Sequence, residues 1–234
     1  NVIIVSTHYD DWSAVPRKAP GADESSGIAS LLELARYYTE APAPPYNTIW
    51  FVAFSGHWQG LAGPREFVEK FLFSPEVQQD SVKVWMQINL DFSSDNHQIT
   101  PLYVGRFYAS GINEETQARY LWVREILKGL RSRLPEDAIF WEGLRQLNWW
   151  GTEFEPYILD SEPAALSGTV SFSLMTSYAR RLRWGTPFDT IEGVDVENIV
   201  GQLGSSLAII DEFVNMESFG INWRDVKPTR LRLY

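Results

Sequence analysis

Residues Ile49 to Gly63 read IWFVAFSGHWQGLAG. From Ile49 to Phe54 the run is apolar without a break, which suits a central parallel strand covered on both faces. The run stops at Ser55-Gly56, presents His57 and Trp58, and passes Gly60 and Gly63 into a helix expected to begin near Pro64. Strand, sharp turn, polar residue and helix in succession is how α/β folds display chemistry. Groups at the carboxyl ends of parallel strands line the ligand crevice. What meets His57 at that edge therefore decides the reading of the chain.

Upstream, Val2 to Val5 is a short β-branched strand, and Ser6-Thr7-His8-Tyr9-Asp10 emerges from its end. A loop from Asp11 to Asp23 leads to a helix that Ser25 or Ser26 can cap and that runs to about Tyr38. Ile28, Leu31, Leu32 and Ala35 give it an apolar face, and the stiff stretch APAPP, Ala41 to Pro45, ends it. Downstream, Pro64 to Phe73 reads as a short amphipathic helix with Pro64 in its first turn. Val82 to Leu90 reads as a strand with Asp91 at its end, and Leu102 to Val104 as a short strand. Glu114 to Leu134 is a long helix with Leu121, Ile126 and Leu130 on its apolar side, stopped by Pro135. Ala138 to Leu159 is irregular and aromatic. Val170 to Met175 is a further strand, Trp184 to Asp195 a loop, and Val196 to Val214 a last helix with Ile199, Leu203, Leu207 and Ile210 on one stripe. This alternation predicts an α/β fold: a doubly wound, mostly parallel sheet in a three-layer sandwich.

At 234 residues and 44% hydrophobic the chain suits one domain, residues 1–234. A net charge of −10 argues against nucleic-acid binding, which needs a basic surface. The basic tail Arg224, Lys227, Arg230 and Arg232 is short and reads as a solvated terminus. With 0 cysteines, disulfides, thiolate metal sites and cysteine nucleophiles are excluded. No apolar stretch reaches membrane-spanning length. Because Asn1-Val2-Ile3-Ile4-Val5 goes straight into a strand, the chain is expected to be a mature product or a fragment of a longer protein.

His8, Asp91, the pair Asp23/Glu24 and His57 all fall just past strand ends or in the adjoining loops. Imidazole and hard carboxylate oxygens at such an edge are the donors of hydrolytic zinc sites. Taken singly, each such residue serves equally well as a cap or a turn former. His97, in the polar loop Ser94-Asp95-Asn96-His97, is expected to face solvent, and Asp189, after Thr186-Pro187, to be a turn and helix-entry residue.

The ordered motifs HYDDW (His8 to Trp12), PGADESSGIASLLELAR (Pro20 to Arg36), FVAFSGHWQGLAG (Phe51 to Gly63) and NLDF (Asn89 to Phe92) resemble the M28 family of zinc aminopeptidases, which includes the related glutaminyl cyclases. The resemblance extends to SGTVSFSLMTS (Ser167 to Ser177) and WGTPFDTIEGVD (Trp184 to Asp195). It implies a single α/β domain with a co-catalytic metal pair at the carboxyl edge of its sheet. Position by position, His8 matches the first metal-binding His and Asp10 the Asp that orients it. Glu24 falls where that family places the bridging Asp, and Asp91 matches the Asp ligand of the first metal. His57 and Trp58 stand where it has two consecutive Glu, the general base and a ligand of the second metal. Gly185 stands where it has its final His ligand. Asp160 lies in a segment resembling a Ser-Asp-His stretch near the substrate pocket, with Ser161 at the position of the His, and is assigned no role.

The resemblance thus implies a first site of His8, Glu24 and Asp91, with Asp10 behind His8 and His57 as base or extra ligand. The second site lacks both of its own ligands. Expected cofactors are none or a single zinc ion, and a two-metal centre is not expected. Two main functional readings follow. In one, the domain has lost two-metal aminopeptidase activity and serves in binding a peptide or protein partner, or as a structural part of a larger assembly. In the other, it is an active hydrolase with an altered, mononuclear site. A cyclase on the same fold is a third reading, opposed by the same missing ligands. Family resemblance also implies an extracytoplasmic or membrane-anchored parent protein.

Overall fold

The strand Val2–His8 (β1) pairs in parallel with two neighbours, and every one of its residues is buried. On one side lies Thr48–Phe54 (β2), in unbroken register from Val2 opposite Thr48 to His8 opposite Phe54. On the other lies Val84–Asp91 (β3), with a register irregularity between Val2 and Ile3. Val170–Thr176 (β5) extends the parallel set beside β3, and Ile99–Leu102 (β4) closes it antiparallel to β5. The five-stranded order is β2-β1-β3-β5-β4. The computed structural model describes residues 1–13, 15–79, 81–102, 114–139 and 158–218.

Alternate residues of β1 feed two different cores, as the period of a strand requires. Ile3 and Val5 point to one face and pack with Leu31 and Leu34 of Ser26–Glu40 (α1). The same core holds Val123 and Leu127 of Glu114–Leu130 (α4), and Ile209, Ile210 and Phe213 of Val196–Val214 (α6). Val2 and Ile4 point to the other face, against Val68, Leu72 and Ala164. Val68 and Leu72 lie in a π-helical turn, Val68–Leu72, that continues Ala62–Phe67 (α2); the four-residue helix Pro75–Gln78 (α3) follows it. Ala164 belongs to Glu162–Leu166 (α5). The α/β sandwich expected from the alternation of elements is what forms: a mainly parallel sheet flanked by helices. A fully buried Leu, Ile or Phe contributes roughly 1.5–3 kcal/mol, so the α1/α4/α6 side carries most of the stabilising burial.

Several expectations are corrected. Among the described residues the run Ile49 to Phe54 is an edge strand and not a central one: β2 ends the sheet, and β1 and β3 are central. It stays apolar because both of its faces are packed, Ile49 and Phe51 against the larger core and Trp50 and Val52 against the smaller. Only its outer hydrogen-bonding edge is unpaired by strand, and an apolar run does not report that edge. The short strand expected at Leu102 to Val104 is Ile99–Leu102. The single helix expected over Pro64 to Phe73 is α2 followed by the π turn. In α1, Leu34 rather than Leu32 is buried, and Leu32 faces solvent. Ser25 sits at the N-cap without capping; its hydroxyl donates to the Gly21 carbonyl at 2.7 Å. The aromatic stretch Trp141 to Tyr157 and the basic tail lie outside the described residues.

Candidate metal centre

His8 is the last residue of β1 and is buried. His57 reaches the same place from the turn after β2, where Gly56 takes a φ of +72° that only glycine adopts without strain. Asp10 fastens that turn: its carboxylate accepts from the Gly56 amide at 3.0 Å and the His57 amide at 3.4 Å. The two imidazoles stack, with centroids 4.0 Å apart and planes 25° from parallel.

Asp160 joins them. Its Oδ2 lies 3.1 Å from His8 Nδ1 and its Oδ1 lies 3.0 Å from His57 Nδ1. An ionised carboxylate only accepts, so each ring presents a protonated Nδ1 to it. Burial alone would raise the Asp160 pKa, but the two imidazoles, His57 foremost, outweigh it and hold the group well below the ordinary carboxylate range. Burial likewise pulls His57 down, and Asp160 more than reverses this, so the His57 pKa is raised. A polar row across the sheet places Asp160. Gln87 Nε2 donates to Ser6 Oγ at 2.9 Å and to the Asp160 carbonyl at 3.4 Å. Asn89 bonds Ser6 and Ser173, and Ser173 meets Ser161 at 2.8 Å. All of these side chains are buried.

The other acids of the cleft find different partners. Glu24 Oε1 accepts from the Trp58 indole N–H. Burial raises the Glu24 pKa to about 7, against the opposing pull of that hydrogen bond and of His8. The Asp91 carboxylate forms an ion pair with Arg181 at 2.6 Å, both side chains nearly wholly enclosed. The same guanidinium donates to the Asp91 carbonyl at 3.0 Å and lies over the Trp184 ring at 4.2 Å. Asp23 accepts from Ser93 Oγ at 2.7 Å, the Ser94 amide at 2.6 Å and the Trp184 indole at 2.7 Å. Burial pushes Asp23 up, but these donors outweigh it and its pKa is lowered. Asp189 accepts from the Asp23 amide at 2.8 Å, so it braces the loop that carries Glu24. Exposed His97 bonds Asp137 at 2.9 Å, well apart from the cleft's imidazoles in role.

Trp58 packs edge-on against His57 at 5.0 Å and tilts against Trp12 at 6.4 Å. Gly185 has φ +70°, and a Cβ there would lie 2.8 Å from the Trp12 ring. The position therefore lacks a ligand side chain and has no room for one while Trp12 stays in place.

Of the residues singled out in the sequence, the fold brings His8 and His57 into ring contact. Among the described residues, the one group of His, Asp and Glu able to hold an ion is His8, His57 and Asp160, with potential ligand atoms within 4.8 Å of one another. Glu24 and Asp91 are engaged by Trp58 and Arg181 instead. Asp10, expected to orient His8, bonds backbone amides, and Asp160 holds that ring. Asp160 and Arg181 were not legible as site residues; the one hint was the Ser-Asp-His-like stretch around Asp160. A His ligand whose second nitrogen is held by a carboxylate is the usual arrangement at metal centres. His8 Nε2 is buried and has no hydrogen-bond partner. Among the described residues the imidazole corner is the group that could hold an ion.

The family model of peptidase family M28 matches residues 1–136. A probable zinc metalloprotease of Pyrenophora tritici-repentis is 39% identical over 89 residues, covering 36% of this chain and 19% of that protein. The zinc aminopeptidase BSAP from Bacillus subtilis superposes with a TM-score of 0.64 at 20% identity, over 96% of this chain and 48% of that one. The γ-secretase component nicastrin superposes with a TM-score of 0.61 at 15% identity, over 93% of this chain and 41% of that one. The chain therefore spans about a fifth of the metalloprotease and about half of the aminopeptidase. The chain belongs to peptidase family M28.

Proposed function

We propose that this member of peptidase family M28 has given up two-metal peptide hydrolysis, and that its cleft serves to bind a peptide or protein partner or to build a larger assembly. The observation that carries this reading is the ion pair of Arg181 with Asp91 at 2.6 Å. A buried carboxylate must be compensated by a cation, and here the chain supplies its own. Trp58 on Glu24 and Trp12 over Gly185 act in the same sense. Asp160, the carboxylate that bonds the imidazoles, has both oxygens spent on the two rings and none free for a general base's work.

The fold leaves the choice open, because function follows the site. The same architecture is a zinc aminopeptidase in one neighbour and a γ-secretase component in another. Among the described residues no helix is long and apolar enough to cross a membrane. We read residues 1–234 as one domain of an extracytoplasmic or membrane-anchored parent protein.

The test is to incubate the zinc-loaded chain with a panel of aminoacyl amides, peptides and amino-terminal glutaminyl peptides. The expected result is no turnover above the zinc-only control. Turnover that disappears in His8→Ala would overturn the proposal. It would establish the second reading, a hydrolase with one metal, which the unpartnered His8 Nε2 favours. In that case a zinc ion held by the imidazole corner would supply a polarising charge, with His8 and His57 as the residues that hold it and Asp160 as the carboxylate that orients them.

A further inference from the structure

We propose that His8 and His57, both held by Asp160, form a single-ion site for a borderline divalent cation of the zinc class, in which His57 is a ligand rather than a base and Asp160 is the outer carboxylate that orients both rings. This ligand set differs from the His8, Glu24 and Asp91 set that the family resemblance implies, and it does not depend on whether the cleft hydrolyses anything.

The three residues come from separate parts of the chain: the end of β1, the turn after β2 and the segment before α5. Each is buried, the two rings stack with centroids 4.0 Å apart, and Asp160 bonds both. Asp160 takes the Nδ1–H of both rings, so the lone pair left on each imidazole is at Nε2, on the ring edge away from Asp160. Leaving a buried polar atom unsatisfied is destabilising, and His8 Nε2 is such an atom. A lone pair held in place, buried and without a donor is what a metal ion satisfies. The polar row of Gln87, Ser6, Asn89, Ser173 and Ser161 fixes the Asp160 segment from behind. That support is the kind of outer bonding that orients ligating histidines.

The donor set selects the ion. Two imidazole nitrogens suit zinc, cobalt, nickel or copper, whereas magnesium and calcium want oxygen donors. Trp58 holds one oxygen of Glu24 and Arg181 pairs with Asp91, so the resemblance-derived set is partly engaged by the chain, with Glu24 Oε2 left over.

The full chain is stripped with a chelator and titrated with zinc by calorimetry, with magnesium in parallel. One zinc per chain and no magnesium binding are expected. His57→Ala abolishes the binding, Asp160→Asn weakens it about 10–100-fold, and Glu24→Gln leaves it unchanged. No zinc uptake by the folded native chain would overturn the proposal, and so would retention in His57→Ala with loss in Glu24→Gln. A variant-free readout covers the case in which the substitutions do not fold. The cobalt-loaded native chain should show two strongly shifted exchangeable imidazole N–H resonances in proton NMR, one for each Nδ1–H held by Asp160. A single such resonance would exclude His57 from the site.

Discussion

On the β1 side of the cleft one carboxylate is shared between two imidazoles, and a ring nitrogen is left over. The other acids of the cleft each have a donor of their own: Arg181 for Asp91, the Trp58 indole for Glu24, and the Trp184 indole with Ser93 and Ser94 for Asp23. Both halves bury acids at the carboxyl edge of one sheet, and both must offset the cost of removing charge from water. The other acids do so with groups of the chain, although Glu24 Oε2 is left without a hydrogen-bond partner. The β1 side does so incompletely, since His8 Nε2 has no partner. Metal affinity in such a cleft depends on which acids the chain has already compensated, more than on how many acids it holds.

The sharpest way to break this contrast is to remove the internal cation. Arg181→Met leaves Asp91 buried beside no positive charge, and removing one partner of a buried pair costs about 3–5 kcal/mol. Urea denaturation should show that loss, with the double variant Arg181→Met/Asp91→Asn recovering a good part of it. A single-variant loss below about 1 kcal/mol would show that Arg181 is not what compensates Asp91.

A smaller effect comes from Glu24, whose pKa burial raises from 4.5 to about 7. The folded chain holds this proton more tightly than the unfolded chain. Its stabilising contribution is therefore full below about pH 4.5 and is lost as pH rises toward about 7. The swing is on the order of 3 kcal/mol. Glu24→Gln should flatten this part of the thermal-stability profile. An unchanged slope between native and variant would place the titration elsewhere.

The smallest effect is expected at Gly185, where φ is +70° and a Cβ would meet the Trp12 ring at 2.8 Å. Left-handed backbone costs a non-glycine residue about 1–2 kcal/mol, so Gly185→Ala should lose about that much in denaturant melts. Trp12→Ala in the same background should recover the steric part. No recovery would mean that backbone strain alone sets the cost, and that Trp12 does not close the position.

Much of the fold was legible because local periodicity and burial coincide. The helix expected over Val196 to Val214 forms with those bounds, and the strand expected at Val170 to Met175 is longer by Thr176 alone. The edge position of β2 was not legible, because an apolar run reports covered faces and not an unpaired edge. In the cleft, His8 and His57 stood out as imidazoles past strand ends. Asp160 did not, since its importance depends on two rings that are 152 and 103 positions away in sequence. A usable signal was present in the polar residues Ser6, Gln87, Asn89, Ser171 and Ser173 of otherwise apolar strands. Buried polar side chains in central strands ask for partners, and here four of them lead to the Asp160 segment.

The sequence by itself determined the layers, the order of the strands and helices along the chain, and the two positions, Trp58 and Gly185, that cannot supply a metal ligand. These follow from side-chain chemistry and from periods of two and 3.6 residues. Tertiary structure alone decided which charges meet. Arg181 reaches Asp91 across a span of 90 residues, and Asp160 rather than Asp10 takes His8. Electrostatic pairing depends on distance in space, and no pattern along the chain encodes that distance.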